Sequence, residues 1–525
     1  MSTYKTNRAI LDKDENLELI LELLSFSGGE NTISEDQDTK ANEARVIENW
    51  DAQSVGGMIR SKGFKQVAAT AVPAAGQELD LLMHHIEGVS TTRIYGVTEG
   101  DLVYKNGAVL TVQSAAAFTA AKLSHGVSKG DKAWITNSTD NLLYATIGAG
   151  IATPADQPTA ARERIYYNQF RLIAEGGGKT IYGSRAGTGN WTAADAWSLA
   201  NDAWNIDLPD NTRGCAPGFP SGQETAVFTP FSAYSVFNAP NITYRKIPHA
   251  RGCCAPYSIA QGDEGIFFMS EHPTLGVFLW DGTNWIELTA FNDFVDDVNL
   301  DQRIYGVYRN KKYYFIYNET GSGVTYPNRV KIYDTGLGRW MGRPVNSSVA
   351  DNFGYPTLLR YDNNELYAAS SRKEVLYELE TTDNSDETEN TEANYKTKDF
   401  SSADFSVAGG GRFPVDEVRL KLEKLVVTYF GLAGSITIQW TADRGAISGS
   451  KTITMSATGD LINTTFNVNS SLLVALSSIP DKTVTFTFPN KAVGRRFNFQ
   501  ILNSATGERV KIRRIKIHAI ALEEA

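Results

Sequence analysis

Cysteine is nearly missing: three in 525 residues, Cys215 and the adjacent pair Cys253 and Cys254. Neighbouring cysteines rarely bridge each other without strain, so neither a disulfide framework nor zinc spacing is visible. Histidine is scarce too. Of six, only His84 and His85 are adjacent, and no pair has metal-ligand spacing on a helix. No run of ~18 apolar residues occurs, which excludes a helix that crosses a bilayer and predicts no membrane insertion. Asp12, Asp14 and Glu15 stand where a secretion leader needs its apolar stretch, so a chain made and folded in a cytoplasm is expected. A basic excess is also lacking. The net charge of −10 and pI near 5.3 argue against a surface built to neutralise nucleic-acid phosphates and read first as a solubility feature.

What is present is β-forming. The 45 glycines, with 42% hydrophobic and 11% aromatic residues, fit a folded chain with many turns, of roughly two to four domains at ~100–200 residues each. From about Leu79 to Leu379 short runs of Tyr, Phe, Val and Ile are broken by Gly, Asn and Asp. One unit reads Leu79–Glu87, Arg93–Val97, Leu102–Lys105 and Ala108–Val112, with Asn106-Gly107 as a hairpin signal. Four successive strands make one propeller blade. Similar units lie around Lys122–Thr146, Arg164–Trp197, Glu224–Ile247, Gly265–Leu288, Arg303–Met341 and Pro356–Leu379, giving six or seven. Aromatic hairpins such as Val307–Tyr317 and Val277–Trp285 supply the large rings that blade-to-blade packing needs. Short helices are expected at residues 12–25 and 41–49, at Ala116–Ala121, and at Asn292–Gln302 with Asn292 or Asp293 as N-cap.

Residues 381–394 hold five acids and no large apolar side chain, the composition of a solvated linker. Beyond it, Val418–Thr428, Ser435–Trp440, Lys451–Met455, Ile462–Val468, Thr483–Phe488, Phe497–Leu502 and Val510–Ile520 alternate at period two, as in an antiparallel β-sandwich. The predicted class is therefore all-β, a β-propeller of six or seven blades followed by a C-terminal sandwich. Residues 1–65 are expected to join the propeller at 66–380, and the sandwich to occupy 395–525.

Chemical motifs fail on spacing or context. Gly176-Gly177-Gly178-Lys179-Thr180 lacks the glycine of a phosphate loop at Ile173 and lies between strands, so it reads as a hairpin turn. Thr441-Ala442-Asp443-Arg444-Gly445 resembles a glycosidase turn in part, but Ser448 holds its aromatic position; a turn with the aspartate capping its own backbone is expected. Asp296, Asp297 and Asp301, and Glu271 beside His272, lack the alternating ligands and central glycine of a calcium loop. No catalytic, cofactor-binding or metal-ligating residue is singled out, no cofactor is expected, and the chain is read as a non-enzyme.

Near the N-terminus stand Phe26-Ser27-Gly28-Gly29-Glu30-Asn31-Thr32, then Asn42-Glu43-Ala44-Arg45-Val46-Ile47-Glu48-Asn49-Trp50, then Gly56-Gly57-Met58-Ile59-Arg60-Ser61-Lys62-Gly63-Phe64. This ordered series resembles the opening of the tail hub or nozzle proteins of short-tailed bacteriophages, also called packaged-DNA stabilisation proteins. Ile165–Leu172, Ile181–Ser184, Asn190-Trp191-Thr192 and Gly265–Met341, with Val330–Asp334 leading to Arg339-Trp340, are similar to the same family. Glu30, Gly183 and the alanine-rich stretch near residues 115–121 depart from its pattern. The resemblance implies a virion protein assembled in the host cytoplasm. It implies a ring of copies, commonly a hexamer, that extends the DNA-ejection channel, meets a portal-side adaptor and carries tail fibres or spikes. DNA would pass through without specific binding, and an acidic lumen would ease its exit. The competing expectation is a carbohydrate-active or receptor-binding propeller, a depolymerase or an adhesin.

Overall fold

The computed structural model describes most of residues 18–522. The longer stretches outside the description are 1–17, 33–39, 70–78, 188–195, 345–357, 380–392, 408–417, 456–480 and 504–509. Among the described residues the structure is strand, with single turns of 3-10 helix and no α-helix. The chain divides into two units, residues 63–382, and residues 1–62 together with 383–525. Residues 1–62 thus group with the C-terminal segment instead of joining the central unit as expected; only the strand Phe64–Ala69 goes to the centre.

The central unit is propeller-like and, among the described residues, contains six four-stranded antiparallel meanders and a seventh antiparallel group of four strands. In chain order the first six span residues 79–114, 124–152, 164–207, 214–246, 260–287 and 305–344. The seventh has three strands of its own, Leu358–Arg360, Leu366–Ala369 and Val375–Leu379, and takes Phe64–Ala69 as its fourth, with Ala69 opposite Val375. Interior strands here are buried on both faces, as in Ile266–Ser270 and Gly276–Trp280. They read as continuous apolar runs because each sheet is covered on both sides.

Hydrophobic clusters join successive sheets. Met83, Tyr95 and Leu102 of the first meet Ala133 and Ile135 of the second, and Ile173 and Trp204 of the third meet Val227 and Tyr234 of the fourth. Between the fifth and sixth, Phe267 stacks on Tyr313 at 4.8 Å and 14°, where ring area and quadrupole geometry both contribute. Ala68, Tyr367 and Leu376 of the seventh sheet meet Leu79, Ile94 and Val103 of the first. The succession therefore closes on itself. The first strand of each sheet lies against the first strand of the next, and Leu358–Arg360 lies against Leu79–Glu87.

The other unit holds two sheets. One places Leu420–Phe430 between Lys511–Ala521 and Asp481–Thr487, with Glu18–Leu23 on the far side of Lys511–Ala521. The second runs Glu43–Glu48, Ala393–Thr397, Arg496–Asn503, Gly434–Ala442, Ile447–Met455. Phe488, one residue beyond Asp481–Thr487, has its ring 5.8 Å from that of Trp440 and 6.5 Å from that of Phe499 in the second sheet. Alternate residues of Gly434–Ala442 are buried, the period-two pattern of a sheet with one covered face. The expected strand at 462–468 and most of the expected linker lie outside the described residues, and Ala393 already begins a strand.

Three helix expectations are corrected. Glu18–Leu23, ELILEL, is a strand paired with Ile515–Ile520, and Glu43–Glu48 is a strand paired with Asn394–Thr397. In six residues, apolar positions two apart serve a strand edge as well as a helix face, and the available partner decides. Ala116 has φ 48° and its N–H donates to Asp101, so the alanine stretch is a turn. At the fourth site, Asp293–Asp297 forms one 3-10 turn whose N-cap Asn292 makes no side-chain capping bond.

A candidate binding pocket at the mouth of the ring

In an antiparallel meander, the start of strand one, the turn between strands two and three, and the exit of strand four lie at the same end. Because the first strands of successive sheets lie against one another, these segments come together at one end of the central unit, its mouth. A cavity of about 500 Å³ opens there, lined by Ser138 of a two-three turn and by residues at or before the inner strands of the third to sixth sheets, among them Arg164, Arg213, Tyr257 and Arg303.

Arg164 opens the strand Arg164–Asn168 and is buried. Its guanidinium bonds the Glu175 carboxylate through Nε and reaches Glu163 Oε2 at 3.0 Å through Nη1. Glu175 is fully buried and also accepts hydrogen bonds from Thr212 Oγ1 at 2.6 Å and from the Gly177 N–H at 3.0 Å. Burial alone would raise this carboxyl, but Arg164 and these donors hold it below the usual carboxylate range. The Gly176–Gly178 segment is thus a turn between Arg171–Glu175 and Thr180–Gly183, as read from sequence, and it wraps the buried carboxylate. Gly177 takes φ 70°, a left-handed conformation that favours glycine, and a Cβ there would stand 2.8 Å from Glu163 Oε1 and displace that carboxylate.

Beside the arginine an aromatic plug joins segments of sheets that are not all neighbours in the succession. The His125 ring lies 5.0 Å from Tyr166 and 5.9 Å from Tyr257, and Tyr257 lies 5.4 Å from Tyr305, linking the second, third, fifth and sixth sheets. Tyr257 sits on the single 3-10 turn Pro256–Ser258, and the Arg164 guanidinium stands 5.7 Å from its ring centroid. Burial raises the Tyr257 hydroxyl to about 12 despite Arg164. His125 is pushed down to about 4, by burial first and by Arg164 second. Its neutral ring accepts the Ile165 N–H through Nδ1 at 3.2 Å. Beneath the plug, burial pushes the Cys215 thiol well above its ordinary value and Glu175 adds to it; at the rim the Cys254 thiol is pushed up to about 12. Both thiols are thus held above the range of a reactive cysteine.

Of the sequence candidates set aside earlier, Asp301 lines the cavity, whereas Asp296 and Asp297 lie on the preceding 3-10 turn. His272 packs edge-on against Phe231 at 5.3 Å. Asp443 caps neighbouring backbone instead of its own, accepting the N–H groups of Arg495 and Arg496. Among the described residues no group of three or more His, Cys, Asp or Glu converges on a metal site. Sequence reasoning missed Arg164, Arg213 and Arg303. A signal existed: Arg164-Ile165-Tyr166 and Arg303-Ile304-Tyr305 repeat one tripeptide at the head of two inner strands.

No family model and no curated protein matches this chain. Among solved structures it is similar to the computationally designed Ika8 protein, with 9% identity over 60% of this chain and 100% of that one at a TM-score of 0.35. It is also similar to YCF48 bound to D1 peptide, with 10% identity, 64% and 99% coverage and a TM-score of 0.38. A third is the extracellular domain of a one-component system from B. thetaiotaomicron, with 10% identity, 78% and 49% coverage and a TM-score of 0.41. At these scores the likenesses carry no argument about function.

Proposed function

We propose that this chain is a structural virion protein, a tail hub or nozzle subunit of a short-tailed bacteriophage, built from a seven-bladed β-propeller and a β-sandwich. The observation that carries the reading is the ordered N-terminal series from Phe26 to Phe64, followed at the expected place by the likeness over Gly265–Met341. The closed succession of seven inter-sheet clusters supports seven blades, and the facing sheets of the smaller unit support a sandwich. The aromatic plug refines the mechanism. With Tyr257 between His125 and Tyr305 across the axis, DNA has no path through a single propeller, so in this reading the channel is the lumen enclosed by a ring of copies. A ring follows from a heterologous interface that closes by rotation, and the net charge of −10 lets DNA slide past without sticking.

The test is cryo-microscopy of the particle together with sedimentation of the purified protein. A closed ring between the portal-side adaptor and the fibres or spikes is expected. A strictly monomeric protein that is absent from virions overturns the reading. The second reading, a receptor-binding or carbohydrate-active propeller, draws on the arginine-lined cavity, and its mark is a position at the distal tip of the tail.

A further inference from the structure

Three of the seven inner strands carry an arginine at the mouth. Arg164 is the first residue of its strand, Arg213 immediately precedes Gly214–Pro217, and Arg303 stands two residues before Tyr305–Arg309. All three line one cavity. The repeated tripeptide explains two of them: Ile165 and Ile304 enter the clusters shared with the preceding sheets, while Tyr166 and Tyr305 join the axial plug. The same register then leaves Arg164 and Arg303 facing the cavity, Arg164 buried and Arg303 half-buried. Arg164 is pinned by Glu175 and Glu163. Arg213 is exposed.

The charge balance selects the ligand. Three guanidiniums face two carboxylates at the rim, Glu163 and Asp301, and the buried Glu175 beneath, so the site is neutral in a chain of net charge −10. A polyanion such as a nucleic-acid backbone would meet both rim carboxylates and the negative field of the whole chain. An apolar ligand would strip water from guanidinium groups without repaying their hydrogen bonds. A molecule with one carboxylate and several hydroxyls suits both kinds of group, since arginine forks match carboxylates and carboxylates accept hydroxyl protons. The cavity of about 500 Å³ falls within the size range of small-molecule sites. We propose that the mouth of the ring binds an acidic sugar, its carboxylate held by Arg213 and Arg303 and its hydroxyls by Glu163 and Asp301. The proposal stands independently of the tail reading, because it concerns one chain and not its assembly.

The test is calorimetric titration of the full-length protein with glucuronate, glucose and inorganic phosphate, on the wild type and on Arg213→Ala and Asp301→Asn. Glucuronate is expected to bind with a dissociation constant of about 1 mM or lower, and glucose at least about tenfold more weakly, the factor for losing a charge-assisted contact. Arg213→Ala is expected to weaken glucuronate by about tenfold, and Asp301→Asn to weaken it less. Both substitutions lie at exposed positions, and an unchanged melting temperature separates lost binding from lost fold. Absence of saturable glucuronate binding, equal affinity for glucose, tighter binding of phosphate, or indifference to Arg213→Ala would each overturn the proposal.

Discussion

Glu175 has no contact with solvent, and its surroundings keep it ionised: Arg164, Thr212 and the glycine turn all donate to it. Glu175→Ala leaves the Arg164 guanidinium buried without its main partner, and removing one member of a buried pair typically costs ~3–5 kcal/mol. A urea midpoint lowered by that amount, with unchanged slope, is the expected result; a shift below about 1 kcal/mol would mean that water replaces the carboxylate. His125 gives the ring a pH dependence. Its folded pKa of about 4 lies below the ~6.5 of an unfolded chain, so the unfolded state binds the extra proton between those values. The stabilisation is fully present above pH ~6.5 and is lost as pH falls toward the folded value. Glu175, held low, acts in the same direction, its contribution being lost as pH falls below the ordinary carboxylate range. Because His125 keeps some solvent contact, a loss of about 1–3 kcal/mol between pH 7 and 4.5 is expected. His125→Asn should flatten that slope in urea titrations run across the range. Gly183 has a local reason: a Cβ there would stand 2.2 Å from the Trp204 ring.

Among the elements, Phe64–Ala69 carries the most long-range consequence, since it completes the seventh sheet from the opposite end of the unit. Ala68 is 1% exposed and belongs to the cluster that joins the seventh sheet to the first. Ala68→Asp buries an unpaired charge at that seam, expected to cost at least ~3 kcal/mol. Protease cleavage near residues 64–69 should then precede global unfolding, and simultaneous loss of all sheets would mean that closure is not a separate step. Hairpins were legible to within a residue. Asn106-Gly107 marks the right turn, but Asn106 pairs with Val109, so Gly107 and Ala108 form the loop and only Gly107 takes a positive φ, 61°.

At the scale of the whole molecule, the chain leaves one unit at residue 62, builds the propeller-like unit, and returns at residue 383. All seven inter-sheet clusters lie within residues 63–382. That segment expressed alone is expected to melt in one cooperative transition with native near-ultraviolet dichroism. Residues 383–525 alone, deprived of Glu18–Leu23 and Glu43–Glu48, should melt lower or not cooperatively in calorimetry.

The division of labour between sequence and tertiary structure follows from what periodicity can encode. Alternation and turn residues report which face of a short segment is covered and where the chain reverses, so the strand units over 79–379 and the alternating strands after 418 are written locally. They do not report what covers the face. ELILEL became a strand because Lys511–Ala521 offers it an edge, and Phe64–Ala69 joins the seventh sheet because Val375–Leu379, paired on one side with Leu366–Ala369, offers its other edge. The pocket is likewise a product of closure. Arg164, Arg213 and Arg303 are far apart in sequence, and only the return of every inner strand to one axis puts them around the same space.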